Sequence, residues 1–288
     1  MTFSGVLVPL ITPFAADGEI AAEALEGLAH AVLDGGASGL VALGTTAEAA
    51  MLTGKERRAV AEVCARVCRE REATLVVGAG SSGTRGTAEA LRDLAGAADA
   101  ALVAVPSFVR PGEAGVLAHF TELSRRSPVP LIVYNVPHRT GQTAGAAALR
   151  EIGALPMVRG VKQAVGGLDA DTVALLADPP EDFAVLAGDD AFLSALLALG
   201  APGGIVATAH LRTADFAALA EAWRSGDAAR ARALGHRLST LAAAVFAESN
   251  PTVLKGVLHA QGLIPTPSVR LPLVPARRES VEAVLRLL

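Results

Sequence analysis

The amino-acid sequence predicts an α/β protein whose eight parallel strands alternate with helices and close into a barrel. Short apolar runs recur about every 25 to 35 residues, and each is followed by an alanine-rich stretch of helical period. Within the runs the apolarity is continuous, which is typical of strands buried on both faces. The predicted class is therefore a (β/α)8 TIM barrel with a C-terminal helical extension; an open doubly wound sheet is the alternative.

Eight apolar runs have the length and composition of buried strands. They are Val6–Leu10, Gly39–Leu43, Leu75–Gly78, Ala101–Val105, Pro130–Tyr134, Val158–Lys162, Ala184–Ala187 and Gly203–Ala207. The helices between them have recognisable ends. Thr53 and Glu56 have the spacing of a capping box, and Gly35-Gly36 and Gly153 are helix terminators.

After the eighth run the sequence has only helical periods. These include Asp227–Ala247 and Pro251–Gln261, and a proline-rich segment, Pro265–Pro275, follows. The first helix after the eighth strand is expected to close the barrel. The sequence therefore predicts a barrel with the active site over residues 1–222 and a helical extension over residues 223–288.

Composition and charge exclude several classes of protein. The longest apolar run, Ala191–Leu211, is broken by glycines and a proline, so it does not read as a membrane helix. No basic region precedes the first apolar stretch, so no signal peptide is expected. A net charge of −4 with scattered signs argues against a nucleic-acid partner. Cys64 and Cys68, one helical turn apart, suggest a reducing compartment. We expect a soluble, cytoplasmic protein with no membrane partner.

Lys162 is the first candidate for chemistry. Lysine occurs only at Lys55, Lys162 and Lys255. Lys55 lies in a polar helix start and Lys255 in a stretch of helical period, so both are expected to be solvated. Lys162 ends an apolar strand. Loss of hydration there favours a neutral amine, which can attack a carbonyl. The alternative is an ion pair that closes the strand end.

Polar residues follow two other strands, at the barrel end where chemistry is expected. Strand two ends in Gly44-Thr45-Thr46-Ala47-Glu48, whose hydroxyl and backbone N–H groups suit a carboxylate. The alternative is a turn that caps the next helix. Strand five ends at Tyr134, the only tyrosine, which the barrel would place beside Lys162 at the same level. A phenol beside an amine can transfer protons, although a core aromatic is also possible.

Three other patterns do not predict a site. Gly78–Gly83 matches a dinucleotide fingerprint, but the next strand ends in Val105-Pro106-Ser107-Phe108 without the required acidic residue. Gly188-Asp189-Asp190 precedes an apolar helix, where aspartate more often caps the helix than binds metal. The histidines have no ligand spacing, so no metal site is expected.

The sequence resembles the pyruvate-dependent class I aldolases that include dihydrodipicolinate synthase and N-acetylneuraminate lyase. The resemblance runs from Gly5 to about Pro275 and is closest to the synthase. Its motifs, in order, are Pro9-Leu10-Ile11-Thr12-Pro13-Phe14, Gly44-Thr45-Thr46-Ala47-Glu48, Tyr134-Asn135-Val136-Pro137, Gly160-Val161-Lys162, Gly188-Asp189-Asp190, Asn250-Pro251 and Arg270-Leu271-Pro272.

The resemblance implies a role for each matching residue. Lys162 would form a Schiff base with the ketone of pyruvate, and Tyr134 would transfer protons. Thr45 and Thr46 would hold the pyruvate carboxylate, with Thr45 counted among the catalytic residues. The residues that would complete the site are Arg139, which would bind the carboxylate of aspartate semialdehyde, and Gly188 and Ile205, which would line the pyruvate pocket. No cofactor is implied beyond the covalent imine, and a homotetramer or homodimer is expected.

The chain departs from the family pattern at three positions. The family usually has Pro-Tyr-Tyr where this chain has Pro106-Ser107-Phe108. Phe108 has no hydroxyl to complete a proton relay across a subunit interface, and Ser107 replaces a tyrosine that binds feedback lysine. Ala47 replaces the usual glycine in the strand-two turn, which can narrow the pocket or shift the backbone of that turn.

Three functions follow from these observations. The leading hypothesis is a lyase that condenses pyruvate with aspartate semialdehyde, as dihydrodipicolinate synthase does, and Arg139 favours it. The second is a related aldolase or dehydratase acting on 2-keto-3-deoxy sugar acids or N-acetylneuraminate, for which Phe108 and Ala47 leave room. The third is a barrel that binds a keto acid without turning it over.

Overall fold

A computed structural model describes residues 3–288 and contains a closed barrel of eight parallel strands. The strands follow one another around the barrel in sequence order, with a helix between most neighbours. This confirms the predicted fold class and excludes the open doubly wound sheet. The strands are β1 (Gly5–Pro9), β2 (Gly39–Ala42), β3 (Thr74–Gly78), β4 (Ala100–Ala104), β5 (Leu131–Asn135), β6 (Val158–Gln163), β7 (Ala184–Ala187) and β8 (Gly203–Ile205).

Twelve helices are present within residues 3–288, four of them after the last strand. They are α1 (Ala22–Asp34), α2 (Gly54–Glu70), α3 (Thr84–Arg92), α4 (Gly112–Arg126), α5 (Pro137–Thr140), α6 (Ala146–Gly153), α7 (Ala170–Ala177), α8 (Leu193–Ala198), α9 (Ala209–Arg224), α10 (Ala228–Val245), α11 (Thr252–Ala260) and α12 (Arg278–Leu285). Short 3-10 turns follow β2 and β7. None of the described helices is long and apolar enough to cross a membrane.

The strands are buried on both faces, as their continuous apolarity predicts. Every residue of β2, β5 and β7 is buried, including the side chains that point away from the barrel axis towards the helices. Neighbouring strands pair in parallel with a defined register, so that Tyr134 of β5 pairs with Lys162 of β6. Two buried strands therefore bring the predicted amine and phenol to the same level.

Local signals in the sequence explain where several helices begin and end. Thr53 and Glu56 form the predicted capping box of α2, because each side chain accepts the backbone N–H of the other residue. Gly35 follows the last residue of α1, and Gly153 is the last residue of α6. Asp227 caps α10 by accepting the N–H of Arg230.

The chain divides into two compact units. One contains residues 3–5 and Val76–Ile205, which include β4 to β8, and the other contains Val6–Leu75 and Val206–Leu288. In the second unit α9 packs against α10, and α12 packs against both α10 and α11. The predicted boundary between a barrel at residues 1–222 and an extension at residues 223–288 stays a prediction.

His210 is a buried histidine in the first turn of α9. Its Nδ1 lies 2.9 Å from the carbonyl oxygen of Ala207, and its Nε2 accepts the N–H of Ile11 at 3.4 Å. This arrangement requires the neutral tautomer with the proton on Nδ1, because a second proton would point at the N–H of Ile11. Burial lowers the pKa of His210 from 6.5 to about 4.

We expect His210 to make the folded state sensitive to acid. Between pH 6.5 and 4 the unfolded chain binds a proton at His210 that the folded chain does not, so the free energy of unfolding falls as the pH falls through this window. The contribution is at most about 3 kcal/mol. His210→Gln keeps an oxygen that can accept the N–H of Ile11 but cannot be protonated. In urea unfolding at several pH values, its free energy of unfolding should therefore fall less steeply with decreasing pH than that of the wild type.

His236 supplies the matched control because it is exposed on α10. His236→Gln should keep the pH dependence of the wild type. His119, whose pKa burial also lowers to about 4, is retained in both variants, so the two curves differ only through the exchanged residue. Equal slopes for His210→Gln and the wild type would contradict the prediction.

Candidate active site

Lys162 lies at the carboxyl end of β6 and is only 7% exposed. Its Nζ lies 4.5 Å from the centroid of the Tyr134 ring on the neighbouring strand. Among the described residues the amine has no ion-pair partner, so the alternative of a strand-end ion pair is wrong. The structure thus places an unpaired, buried amine over a phenol, as the strand pattern predicts.

A buried hydrogen-bond network ties together the ends of β5 and β6. Asn135 and Gln163, the residues that follow the tyrosine and the lysine, are joined by a bond of 3.0 Å from Asn135 Nδ2 to Gln163 Oε1. The Asn135 side chain also bonds both the N–H and the carbonyl of Ala144. Gln163 Nε2 donates to Thr172 Oγ1, which donates to Asp169. Because these buried groups are satisfied, the network holds the two strand ends in register.

Gly188 packs directly on the stem of Lys162. Its N–H donates to the carbonyl oxygen of Gln163 at 2.7 Å. A Cβ at this position would lie 2.8 Å from Ala164 Cβ, 2.8 Å from that same oxygen and 2.9 Å from Lys162 Cγ. Only glycine allows the end of β7 to approach the lysine this closely.

Asp189 does not cap the turn that follows it, so the sequence-based interpretation is wrong for this residue. No side-chain cap is present, and the carboxylate accepts the N–H of Gly166 at 2.7 Å instead. Burial raises the pKa of Asp189, while the N–H of Gly166 and the charges of His138 and Lys162 act in the opposite direction. A half-buried carboxyl group therefore faces the loops at this end of β6.

Arg139 is exposed on the short helix α5, which directly follows β5. Pro137 is the first residue of this helix, and Gly141 ends it with a φ of +69°. Within residues 3–288 the guanidinium makes no ion pair, so it is available to a carboxylate from outside the chain. Its neighbour His138 is also exposed, on the same short helix.

The turn after β2 carries Thr45 and Thr46 as a 3-10 helix, Thr45–Ala47. Thr45 is partly exposed, while Thr46 is buried and its Oγ1 accepts Asn250 Nδ2 at 2.8 Å. The carbonyl of Ala47 accepts the hydroxyl of Thr12 at 2.8 Å. The turn does not cap the next helix, because Thr53 caps α2. The capping alternative for the threonine pair is therefore wrong.

The prediction that Lys255 is solvated is wrong. It is fully buried, and its Nζ lies 2.7 Å from Glu48 Oε1. Helical period alone misassigns it because α11 is buried nearly all round, with Val253, Leu254 and Leu258 also inaccessible. Lys55 is exposed, as predicted. Within the described chain, Lys162 is the only buried lysine that forms no ion pair.

The remaining predicted residues have contrasting environments. Ile205 is fully buried in β8. Phe108 is 92% exposed and has a φ of +70°, an unusual backbone conformation for a bulky side chain. The hydroxyl of Ser107 lies 3.1 Å from that of Ser82. Among residues 3–288 no three histidine, cysteine, aspartate or glutamate side chains converge in a way that could hold a metal ion.

Comparison with known proteins gives one consistent result. The model of the dihydrodipicolinate synthetase family matches residues 2–288. The 4-hydroxy-tetrahydrodipicolinate synthase of Maridesulfovibrio salexigens is 38% identical over 99% of this chain and 98% of its own length. The enzyme of that name from Moorella thermoacetica is 35% identical over 99% and 97%, respectively. The pyruvate complex of dihydrodipicolinate synthase from Acinetobacter baumannii superposes with a TM-score of 0.94 at 31% identity, covering 99% of this chain and 98% of that one.

Proposed function

The chain belongs to the dihydrodipicolinate synthetase family, and we propose that it is a Schiff-base-forming lyase that condenses pyruvate with aspartate semialdehyde. Relatives at 35% and 38% identity over nearly their whole length carry the name 4-hydroxy-tetrahydrodipicolinate synthase. The single observation that carries the proposal is the buried Lys162 amine, in register with Tyr134 and without an ion pair among the described residues.

The proposed reaction begins at Lys162. Its neutral amine attacks the keto carbon of pyruvate, and the carbinolamine that forms loses water to give an imine. The positive imine nitrogen withdraws electrons, so the methyl group loses a proton and becomes an enamine. The enamine carbon attacks the aldehyde carbon, whose oxygen takes up a proton, and the imine on Lys162 forms again. Water, or the amine of the semialdehyde, then adds to the imine carbon and displaces Lys162, which releases the product. Tyr134 is proposed to transfer protons in these steps because its ring lies against the amine.

The other site residues are proposed to bind the two substrates. Thr45 and Thr46 would hold the pyruvate carboxylate through hydroxyl and backbone N–H groups, with Thr45 also taking part in proton transfer. Arg139 would bind the carboxylate of the semialdehyde, for which its unpaired, exposed guanidinium is suited. The close approach of Gly188 to the stem of Lys162 supports a place in the pyruvate pocket, and Ile205 would line the same pocket.

We also propose that the enzyme needs no cofactor, assembles into an oligomer and acts in the cytoplasm. The covalent imine requires no cofactor, and the enzyme would act in the cytoplasm. Assembly as a homotetramer or homodimer is supported by Phe108 and Val109, neighbouring apolar side chains that are 92% and 57% exposed. Phe108 has no hydroxyl, so a proton relay from Tyr134 cannot continue through its side chain.

The test compares aldehydes in one enzyme preparation. Pyruvate is supplied with aspartate semialdehyde, and separately with the aldehydes that yield 2-keto-3-deoxy sugar acids, or with N-acetylmannosamine. We expect turnover with the semialdehyde to exceed turnover with every sugar aldehyde. Semialdehyde condensation no faster than that of a Lys162→Ala control would overturn the proposal, and turnover with a sugar aldehyde would then support the sibling activity. Steady turnover with any aldehyde excludes a binding-only barrel.

Gly188→Ala should lower kcat about 100-fold, because displacing a reacting group by about 1 Å costs that much. The new Cβ would overlap Lys162 Cγ, Ala164 Cβ and a backbone oxygen, and the backbone oxygen cannot move aside. Gly167→Ala is the matched control in the neighbouring loop, where the nearest atom to a new Cβ is 3.9 Å away. Equal kcat values for the two variants would contradict the assigned packing of Lys162.

A further inference from the structure

The residue that ends the threonine turn, Glu48, is a fully buried carboxylate. It has a φ of +57°, in the left-handed region, and its N–H donates to the carbonyl of Thr45. Its Oε1 accepts Lys255 Nζ at 2.7 Å, and its Oε2 accepts the backbone N–H of Arg270 at 2.6 Å. Both oxygens are thus bonded to groups that lie more than 200 residues further along the chain.

The cations around Glu48 are themselves fixed by one aromatic ring. Lys255 Nζ lies 4.0 Å from the centroid of the Phe14 ring, and the guanidinium carbon of Arg270 lies 4.5 Å from it. Arg270 also donates to Glu56 Oε1, in the capping box of α2, and to the carbonyl of Gly18. The carboxylate therefore lies in a rigid cluster and not in a mobile surface pair.

Residues 250–255, which include the start of helix α11, contact the turn at two positions. Asn250, two residues before the first residue of α11, donates to Thr46 Oγ1 at 2.8 Å. Lys255, in the middle of α11, bonds Glu48. A displacement of α11, or loss of either bond, would change the direction of the Thr46 hydroxyl and of the N–H groups in the turn.

We propose that Glu48 and Lys255 are positioning residues for the condensation: their buried ion pair holds the turn that contains Thr45 and Thr46 in the shape that binds the pyruvate carboxylate. The inference rests on the proposed function, since it concerns the binding of pyruvate. It predicts that losing the pair weakens pyruvate binding, while the Lys162 amine can still form the imine at saturating pyruvate.

The charge on Lys255 depends on the pH. Burial lowers the pKa of Lys255 from 10.5 to about 8, while the Glu48 carboxylate acts to raise it and the Arg270 guanidinium to lower it. The charged groups that surround the amine are therefore Glu48 from the turn and Arg270 from the C-terminal segment, with Glu56 held by Arg270. The pair is intact below about pH 8 and loses the lysine proton above it.

The first experiment measures the half-saturating pyruvate concentration from the yield of adduct after borohydride reduction, with no aldehyde present. Glu48→Gln keeps the shape of the side chain and can fold with Lys255 neutral. Glu48→Gln/Lys255→Met removes both charges and serves if the single variant does not fold. We expect each variant to raise the half-saturating pyruvate concentration at least about 10-fold. The charge-assisted bond between Lys255 and Glu48 is lost, and with it the orientation of the turn that binds the pyruvate carboxylate. At saturating pyruvate the KM for the aldehyde should stay within about 3-fold of wild type, because Arg139 and not the turn is proposed to bind that substrate.

The second experiment is a pH profile of the same quantity. In the wild type the half-saturating pyruvate concentration should rise as the pH increases above about 8, as Lys255 loses its proton. The double variant, which has no such proton, should not show this rise. Both proteins retain Lys162, so any contribution from that residue is common to the two profiles. A merely structural pair would change the thermal midpoint of both variants and leave their pyruvate saturation curves and pH profiles unchanged.

Glu26→Gln/Arg66→Met is the matched control. It removes an ion pair of similar length, 2.6 Å, between α1 and α2, where both side chains are partly exposed. Its pyruvate saturation should equal that of wild type. Wild-type saturation in a folded Glu48→Gln or double variant would overturn the inference. Failure of the proposed function is distinguishable: without pyruvate chemistry the wild type itself would give no adduct on Lys162, and with a different aldehyde substrate the wild type would keep its adduct and its dependence on the pair.

Discussion

Replacing Lys162 by alanine should reduce condensation of pyruvate with aspartate semialdehyde by at least about four orders of magnitude, as removal of a covalent nucleophile does in other enzymes. The same variant should yield no adduct when pyruvate is reduced with borohydride. Reduction converts the imine into a stable amine, so intact mass and peptide mapping report whether and where it formed. The wild type should carry a single adduct, on Lys162.

The other two lysines make this a sharp test. Lys55 is exposed, so Lys55→Ala should keep wild-type turnover and a full adduct on Lys162. Lys255 is inaccessible and bonded to Glu48, so pyruvate cannot reach its amine in the folded protein. An adduct that persists in Lys162→Ala, or one spread over Lys55 and Lys255, would refute the assignment of the nucleophile.

The sequence predicts the part of the site that depends on strand order. Eight apolar runs locate the eight strands to within about two residues, the usual precision of a boundary. Once parallel strands close into a barrel, neighbouring ends lie at the same level, so Tyr134 and Lys162 must be adjacent. Their pairing in register confirms that step. No other feature of the site follows so directly from periodicity.

The sequence does not predict the contacts between segments that lie far apart in the chain. Lys255 and Glu48 are 207 residues apart, and Asn250 and Thr46 are 204 apart. Periodicity reports only which face of a helix is apolar, and it cannot show that a lysine on a buried helix meets a carboxylate from elsewhere. The resemblance matches Asn250-Pro251 and Arg270-Leu271-Pro272 as motifs of the helical tail. The structure gives these motifs a physical purpose, since both contact the threonine turn.

Two polar residues beside the site have a sequence pattern that predicts a hydrogen bond between them. Asn135 and Gln163 follow Tyr134 and Lys162 as the last residues of β5 and β6, and both are buried. A buried amide needs partners, so two of them at paired strand ends predict a bond between them. Asp189 gives the opposite lesson, because its position before a helix suggests a cap and its carboxylate bonds Gly166 instead.

Tyr134→Phe should lower kcat about 100- to 1,000-fold while the borohydride adduct on Lys162 still forms. The variant keeps the ring that lies 4.5 Å from Lys162 Nζ and loses only the hydroxyl. Formation and breakdown of the carbinolamine, and formation of the enamine, each require proton transfer. All three should slow, but the amine remains in place to trap pyruvate at long incubation times.

Tyr134→Ala separates the hydroxyl from the ring. Without the ring the amine loses its packing surface, so the adduct should form more slowly than in Tyr134→Phe, and kcat should fall further. If Tyr134 were only a core aromatic, Tyr134→Phe would be nearly neutral and Tyr134→Ala would act through stability alone. Because Phe108 has no hydroxyl, the tyrosine cannot pass protons to that position. A kcat of Tyr134→Phe within a few-fold of wild type would therefore require another proton donor, and the phenol would lose its assigned role.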